Sequence, residues 1–167
     1  MYEARKICNL LLAEFSETTA GLTNLRLNKL LYFVHAEALR SSPHGIIRNH
    51  FEAWQYGPVI KTVFDAFKKY GETRVTEPAY YTDYSTGRIV PIPFDDVSDA
   101  DKEFILFEAR RYDRFSTGQL VALSHEAGGA WDIVYKEVLK NPAGSSRISN
   151  ELIRASYYRP AKSTGIH

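Results

Sequence analysis

The side chains that could act as nucleophiles or metal ligands are few and scattered along the 167 residues. Cys8 is the one cysteine, and it lies between Ile7 and Leu10 in an amphipathic segment. A reactive thiol needs a nearby base or cation, whereas a cysteine in an apolar stripe usually packs as a small hydrophobic residue. We therefore predict that Cys8 is buried and unreactive. A single cysteine also excludes an intramolecular disulfide and a thiolate-based structural zinc site.

The five histidines show no spacing typical of a metal site or of an acid–base pair. The sequence contains no HExxH, no HxH and no cysteine at ligand distance from a histidine. We predict packing roles for the histidines and hence no catalytic residue, no metal and no cofactor. One alternative stays open: an enzyme of unknown chemistry in which His125, just before a Gly-Gly break, works with an acidic partner. The five positions are His35, His44, His50, His125 and His167.

The remaining motifs have structural explanations. Four aspartates between residues 95 and 101 could suggest a cation site, but acidic residues also stabilise a helix N-terminus through its dipole. The segments STGR (85–88) and GGAW (128–131) match neither a P-loop nor a dinucleotide-binding motif, and GxSxG is absent. The sequence therefore favours a protein that is not an enzyme.

Aromatic residues make up 13% of the chain, and several tyrosines fall outside the apolar stripes of the predicted helices. Surface Tyr and Trp favour protein interfaces because they bury a large area at a small entropic cost. The net charge is +1, which gives no electrostatic footprint for nucleic acid or an anionic membrane. The residues alone therefore leave open a protein interface, a surface for single-stranded nucleic acid and a solvated surface that binds nothing, and the even charge balance argues against nucleic-acid and membrane binding. The tyrosines outside the stripes are Tyr80, Tyr81, Tyr84, Tyr157 and Tyr158.

A mainly helical domain must position these side chains. The second predicted helix is apolar almost all round and is expected near the middle of a bundle. Residues 73–93 contain three prolines and a Ser-Thr-Gly turn, which predicts a small β-ribbon or an extended loop. The fold class is mainly α, a single compact domain of about six or seven helices. Periodicity and N-caps at Ser98, Ser116 and Ser149 predict helices over 5–15, 25–40, 58–70, 99–112, 116–125, 131–139 and 150–158.

The step WQYGP at 54–58 allows two interpretations. In the favoured one, Gly57 caps a helix whose first residue is Pro58, because the missing N–H of proline costs nothing there, and Gly71 ends that helix. In the other, Trp54 and Tyr56 flank a fixed turn and anchor a partner.

A helix-turn-helix over 117–139 is a further alternative. Its second helix carries Asp132 and Glu137 beside Lys136 and Lys140, which makes a poor basic face for a DNA groove. We therefore do not favour a DNA-binding regulator.

The chain is expected to be cytoplasmic. Charges interrupt the apolar residues of the N-terminus, unlike a signal peptide, and the apolar runs are shorter than the roughly 20 residues that span a bilayer. A homodimer is possible on the tyrosine-rich surface but is not required by it.

Three segments, in order and spacing, resemble the Panacea domain of SocA-like antitoxins and phage-associated GepA-type proteins. They are LNKLLYFVHAEAL (27–39), FEAWQYGPVIKTVFDAFKKYG (51–71) and LVALSHEAGGAW (120–131). The W-x-Y-G-P step is the most specific part. Ala130 departs from the proline that many members place before the Trp. The resemblance extends over residues 4–158 as one domain and leaves 159–167 as a frayed tail.

The resemblance implies an antitoxin that binds a cognate protein toxin. Members of this kind neutralise the toxin directly or act as adaptors that present it to a ClpXP-type protease. Combining this with the unassigned aromatics, we predict partner contacts at Trp54, Tyr56, Tyr80, Tyr81, Tyr84 and Trp131.

Overall fold

The computed structural model describes residues 1–15 and 21–157. These residues form seven α-helices, five short strands and a 3-10 turn (Lys68–Tyr70) that extends the third helix. The predicted mainly helical fold of six or seven helices is confirmed, with a second small sheet that was not predicted. The predicted tail, 159–167, lies outside the described residues. The elements are α1 (Ala4–Glu14), α2 (Asn24–Ala38), β1 (Phe51–Trp54), β2 (Gly57–Val59), α3 (Lys61–Phe67), β3 (Tyr80–Asp83), β4 (Arg88–Pro91), α4 (Asp99–Asp113), α5 (Thr117–Ser124), α6 (Ala130–Lys140), β5 (Arg147–Ile148) and α7 (Asn150–Tyr157).

Helix α2 is the centre of the fold. Leu27, Leu30 and Val34 are fully buried, and the helix packs against α1, α3, α4, α5, α7 and β2. The Thr23 hydroxyl caps its N-terminus by accepting from the Arg26 amide at 3.2 Å. A helix with apolar side chains all round needs neighbours on every side. The central position predicted from the sequence is confirmed.

A buried charge pair ties α2 to the junction between α4 and α5. The Arg26 guanidinium donates to the Asp113 carboxylate at 2.7 Å and to the Asp113 carbonyl at 2.5 Å. It also reaches the Thr117 hydroxyl at 3.3 Å. Because several donors of the guanidinium are satisfied, the cost of burying this charge is offset.

Residues 51–59 form a hairpin, which corrects the prediction of a helix starting at Pro58. β1 pairs antiparallel with β2, with Trp54 opposite Gly57, and on its other side with β5. Helix α3 begins only at Lys61. The predicted end is confirmed, since Gly71 follows the 3-10 turn with a φ of 54°.

The hairpin register explains why a proline is tolerated in β2. The amide of Ala53, the residue opposite Pro58, donates to the Ser146 carbonyl on the β5 side at 2.8 Å. Ala53 and Pro58 therefore form a pair that exchanges no hydrogen bonds across the hairpin. The missing N–H of Pro58 points away from β1, so the ladder loses nothing.

The predicted caps of the C-terminal helices are confirmed. The Ser116 hydroxyl accepts from the Gln119 amide, and the Gln119 side chain accepts from the Ser116 amide at 2.8 Å. Ser98 and Ser149 accept from backbone amides of α4 and α7 in the same way. Within the described residues, no helix is long and apolar enough to cross a membrane.

Candidate functional site

The strands β3 and β4 form an exposed aromatic ribbon, residues 80–91, hereafter the ribbon. Tyr80 and Tyr81 are each 41% exposed, Tyr84 at the tip is 94% exposed, and Ile89 is 73% exposed. The predicted β-ribbon near 73–93 is confirmed, with Tyr80 opposite Pro91 and Asp83 opposite Arg88. These apolar groups face solvent and have no place in the core.

The turn of the ribbon is fixed by local hydrogen bonds. The Asp83 carboxylate accepts from the Ser85 amide at 2.9 Å, from the Ser85 hydroxyl at 2.6 Å and from the Thr86 hydroxyl at 2.8 Å. These hydrogen bonds lower the pKa of Asp83. Gly87 completes the turn with a φ of 68°. The tip that presents Tyr84 is thus ordered by its own side chains.

The base of the ribbon is held by one buried side chain of α1. The Asn9 side-chain amide donates to the carbonyls of Ala79 and Ile92, both at 2.9 Å, and its oxygen accepts from the Ala79 amide at 2.6 Å. Asn9 is buried. Its three hydrogen bonds attach both ends of the ribbon to the helical core. Asn9 was not predicted as a site residue, although a polar residue inside the apolar stripe of α1 was the available signal.

The hairpin places Trp54 and Tyr56 differently. Trp54 is partly buried, packs edge-on against Phe64 at 5.0 Å between ring centroids, and donates from its indole N–H to Glu52 at 2.8 Å. Tyr56 in the loop is 62% exposed. The Trp54 ring contributes to packing, while the Tyr56 ring faces solvent.

Trp131 lies inside the molecule, at 7% exposure. Its indole N–H donates to the Trp54 carbonyl at 2.7 Å, which joins α6 to the hairpin. Its ring is stacked between His125 at 3.7 Å and Tyr135 at 4.6 Å. The structure thus brings Trp54 and Trp131 together, while Tyr80, Tyr81 and Tyr84 belong to the other sheet.

A buried lysine lies against the hairpin. Lys29 of α2 is fully buried and donates to the Pro58 carbonyl at 2.8 Å. Burial lowers the pKa of Lys29 to about 7. A Cβ added to Gly57, whose φ is 100°, would lie 2.8 Å from Lys29 Nζ and 2.6 Å from Ser124 Oγ. Only glycine allows this backbone to approach the lysine so closely.

Asn28, the residue before that lysine, also binds the hairpin segment. Its side-chain oxygen accepts from the Ile60 amide at 2.9 Å, and its amide donates to the Asn24 carbonyl at 3.0 Å. Asn28 and Lys29 were not predicted to contact the hairpin segment. Two polar residues within the apolar run LNKLL were the signal that could have found them, since a buried polar group must be paired.

His35 is the satisfied core histidine that the sequence predicts. Its Nδ1 accepts from the Ile47 amide at 3.1 Å, so Nε2 carries the proton and donates to Asn150 at 3.0 Å. Burial lowers the pKa of His35, and the hydrogen bond to Asn150 opposes this.

His125 differs, because its Nε2 is buried with no hydrogen-bond partner among the described residues. Burial and the charge of Lys29 lower its pKa, and Asp132 opposes this. The lowered pKa favours the neutral imidazole of His125, which stacks on the apolar face of Trp131.

The other chemical candidates have structural partners. Cys8 is buried, and burial raises its pKa well above the ordinary value, so the thiol stays protonated. Asp96 pairs with Lys6, and Asp101 accepts from the Tyr2 hydroxyl at 2.6 Å. In the part of the chain that the structure describes, no group of three or more His, Cys, Asp or Glu side chains could hold a metal ion.

The helix that would read DNA presents paired charges. On α6, Lys136 donates to Asp132 and Lys140 donates to Glu137, both at 2.7 Å. Each cation is matched by a carboxylate one turn away, so the face offers little attraction to phosphates.

Comparison with known proteins agrees with the resemblance seen in the sequence. The model of the family described as "Antitoxin SocA-like, Panacea domain" matches residues 27–132. The curated protein "Antitoxin SocA" of Caulobacter vibrioides (strain NA1000 / CB15N) is 33% identical over 155 residues, which cover 91% of this chain and 80% of that protein. No solved structure matches the chain significantly.

Proposed function

The chain belongs to the SocA-like antitoxin family with a Panacea domain, and on this premise we propose that it binds and neutralises a cognate protein toxin. The observation that carries the proposal is the family match over the central 27–132 together with 33% identity to an antitoxin over most of the chain. In this proposal the protein acts by binding the toxin, and its effect depends on which surface of the toxin it covers.

The ribbon is the surface best suited to that partner. Tyr80, Tyr81 and Tyr84 are exposed on an element whose tip and base are both fixed by hydrogen bonds. Ordered aromatics lose little conformational freedom on binding, which is why Tyr is enriched at interface hot spots. Tyr56 of the hairpin is a second exposed aromatic. Trp54 and Trp131 support the fold of the hairpin and act on the partner only through it.

Two routes to neutralisation are consistent with this surface. In the first, the antitoxin covers the toxin's functional face, and a stable complex is sufficient. In the second, it delivers the toxin to a ClpXP-type protease, which requires a second contact surface for the protease. A homodimer would add a third contact, for which the ribbon is equally accessible.

The test is co-expression with the gene beside its own, scored by growth. If the neighbouring product stops growth and this protein restores it, the antitoxin function is supported. A harmless neighbour, or absence of rescue by a well-expressed protein, would contradict the proposal. Rescue in a strain lacking ClpXP supports occlusion, whereas rescue that is lost there supports proteolytic delivery.

A variant separates binding from catalysis. His125→Ala removes the imidazole on which an enzyme at this position would depend. An antitoxin should still rescue growth if the variant folds, as checked by circular dichroism. Loss of rescue in a folded H125A protein would favour the enzyme alternative.

A further inference from the structure

The two edges of the ribbon differ in the backbone groups that they offer. At the base, the Ile92 amide donates to the Ala79 carbonyl at 2.9 Å, while the Ala79 amide donates to Asn9, which in turn donates to the Ile92 carbonyl. Ala79 and Ile92 therefore occupy the position of a hydrogen-bonded pair, with Asn9 inserted into one of its two bonds. In an antiparallel ladder, hydrogen-bonded and non-hydrogen-bonded pairs alternate. The next pair, Tyr80 with Pro91, is therefore non-hydrogen-bonded, and so is the pair Thr82 with Ile89.

The backbone groups of a non-hydrogen-bonded pair point away from the partner strand. On β3, the N–H and C=O of both Tyr80 and Thr82 consequently point outward, and neither residue has a backbone partner there among the described residues. On β4, Pro91 has no N–H to offer, which leaves Ile89 as the outward donor. Proline is a common means of blocking an edge strand. The β4 edge therefore offers one outward N–H, at Ile89, whereas the β3 edge offers two, at Tyr80 and Thr82. We call the first edge blocked and the second open.

Beside the start of β3 lies a groove of about 410 Å³. Its opposite wall is formed by α3 and the 3-10 turn that follows, and the Lys69 ammonium and Tyr70 hydroxyl both donate to Glu77, just before the ribbon. The groove reaches β3 at its first residue, Tyr80. It is lined by Arg5, Thr62, Asp65, Ala66, Lys69, Tyr70, Pro78, Ala79 and Tyr80.

We infer that the toxin adds a strand to the outer edge of β3, pairing an extended segment of its main chain with Tyr80 and Thr82. This inference rests on the proposed function and specifies which strand of the protein contacts the toxin. Unpaired N–H and C=O groups at alternate residues are matched by another extended chain, which is how β-augmentation supplies affinity. The exposed rings of Tyr80 and Tyr81 stand on opposite faces of the ribbon and flank the incoming strand, where apolar or aromatic side chains pair best with them.

The test uses two proline variants on directly opposite residues. Thr82→Pro removes an outward N–H of the open edge, and Ile89→Pro removes an outward N–H of the blocked edge. Neither change removes a hydrogen bond within the ribbon, because the pair Thr82–Ile89 exchanges none. The probe is the purified product of the neighbouring gene identified by the rescue experiment. Binding is measured by titration calorimetry, and folding is checked by thermal melting.

We expect Thr82→Pro to weaken binding at least tenfold, while Ile89→Pro stays within about threefold of the wild type. Wild-type affinity in a folded T82P protein would overturn the inference. So would an equal loss for both prolines, since that indicates a general deformation of the ribbon.

Amide exchange on the unmodified protein provides an independent measurement. In the free protein the amides of Tyr80 and Thr82 should exchange rapidly, and in the complex both should be protected. A complex that leaves these two amides unprotected would exclude strand addition and leave the antitoxin function intact. If the wild-type protein does not bind the probe at all, the proposed function itself fails.

Discussion

The hairpin and the ribbon have opposite arrangements at their outer strand edges. Along β2, the Pro58 carbonyl accepts from Lys29, the following Ile60 amide donates to Asn28, and Pro58 has no N–H that could be left unpaired. Along β3, the outward groups of Tyr80 and Thr82 have no such partners among the described residues. The first edge is closed by the core, and the second is open to solvent.

The motif that identifies the family lies in the hairpin, whereas the surface that we assign to binding is the ribbon. The W-x-Y-G-P step is held by buried residues of α2 and α6. The aromatic residues of the ribbon have no recognisable motif but are exposed. A recognisable sequence motif can therefore mark a scaffold, because tight packing restricts residue type more than a solvent-exposed surface does.

Replacing Trp131 should have the largest effect on stability. Trp131→Ala removes a buried indole, its two ring stacks and its hydrogen bond to the hairpin. We expect the free energy of unfolding to fall by about 3–5 kcal/mol, measured by denaturant titration. Trp131→Phe should lose clearly less, because most of the apolar volume is kept. A loss below about 1 kcal/mol for the alanine variant would show that the closed edge does not depend on α6.

Gly57→Ala is expected to have the next largest effect on stability. The new Cβ would meet Ser124 Oγ and the Lys29 side chain, and the φ of 100° is unfavourable for alanine. Strain and overpacking together should cost about 3 kcal/mol. Gly87→Ala is the matched control in the ribbon: its φ is also positive, at 68°, but nothing lies within 4 Å of the added Cβ. We expect about 1 kcal/mol there, and equal losses would contradict the contrast between the two sheets.

The pH dependence of the free energy of unfolding tests whether Lys29 is desolvated where it contacts the edge of β2. Because the folded-state pKa of Lys29 is lowered to about 7 from 10.5, the unfolded chain binds more protons between these values. The stability conferred by the neutral amine is therefore fully present above pH 10.5 and is lost as the pH falls towards 7. The slope should approach about 1.4 kcal/mol per pH unit within this window.

Lys29→Met isolates this contribution. Its unfolding free energy should lack that slope, so that the difference from the wild type changes by about 2 kcal/mol between pH 7 and 9. Parallel pH profiles for the two proteins would mean that the ammonium is not desolvated at Pro58. His35, whose pKa is also lowered, adds a loss of stability below its ordinary pKa in both proteins.

Tyr84→Ala should have the smallest effect on stability. The ring is 94% exposed, so the free energy of unfolding should stay within about 0.5 kcal/mol of the wild type. Toxin binding, in contrast, should weaken by about 1–2 kcal/mol, measured by calorimetry. A variant that binds normally would remove the ribbon tip from the interface. A variant that unfolds would contradict the solvent-exposed position of the tip.

Much of the helical framework could be predicted from local signals. Ser98, Ser116 and Ser149 cap helices as expected, and the apolar circumference of α2 placed it in the centre. Pro58 shows where such signals fail. A Gly-Pro step suits both a helix start and an edge strand, and the choice depends on Lys29, which lies 29 residues earlier in the chain. The exposure of Tyr80, Tyr81 and Tyr84 and the burial of Trp131 agree with the sequence. The hydrogen bond from Trp131 to the Trp54 carbonyl was not predicted.

The sequence by itself determined the helical periods, the caps, the turn residues of the ribbon and the family to which the chain belongs, since each depends on residues close together or on a pattern in order. Only the tertiary structure decided that the 54–58 step is the turn of a hairpin with its flanking strand residues and that Asn28, Lys29 and Asn9 are buried hydrogen-bond donors and acceptors. It also decided which strand edge stays open. These features depend on pairings between distant segments, where desolvated polar groups must find partners that local propensity cannot specify.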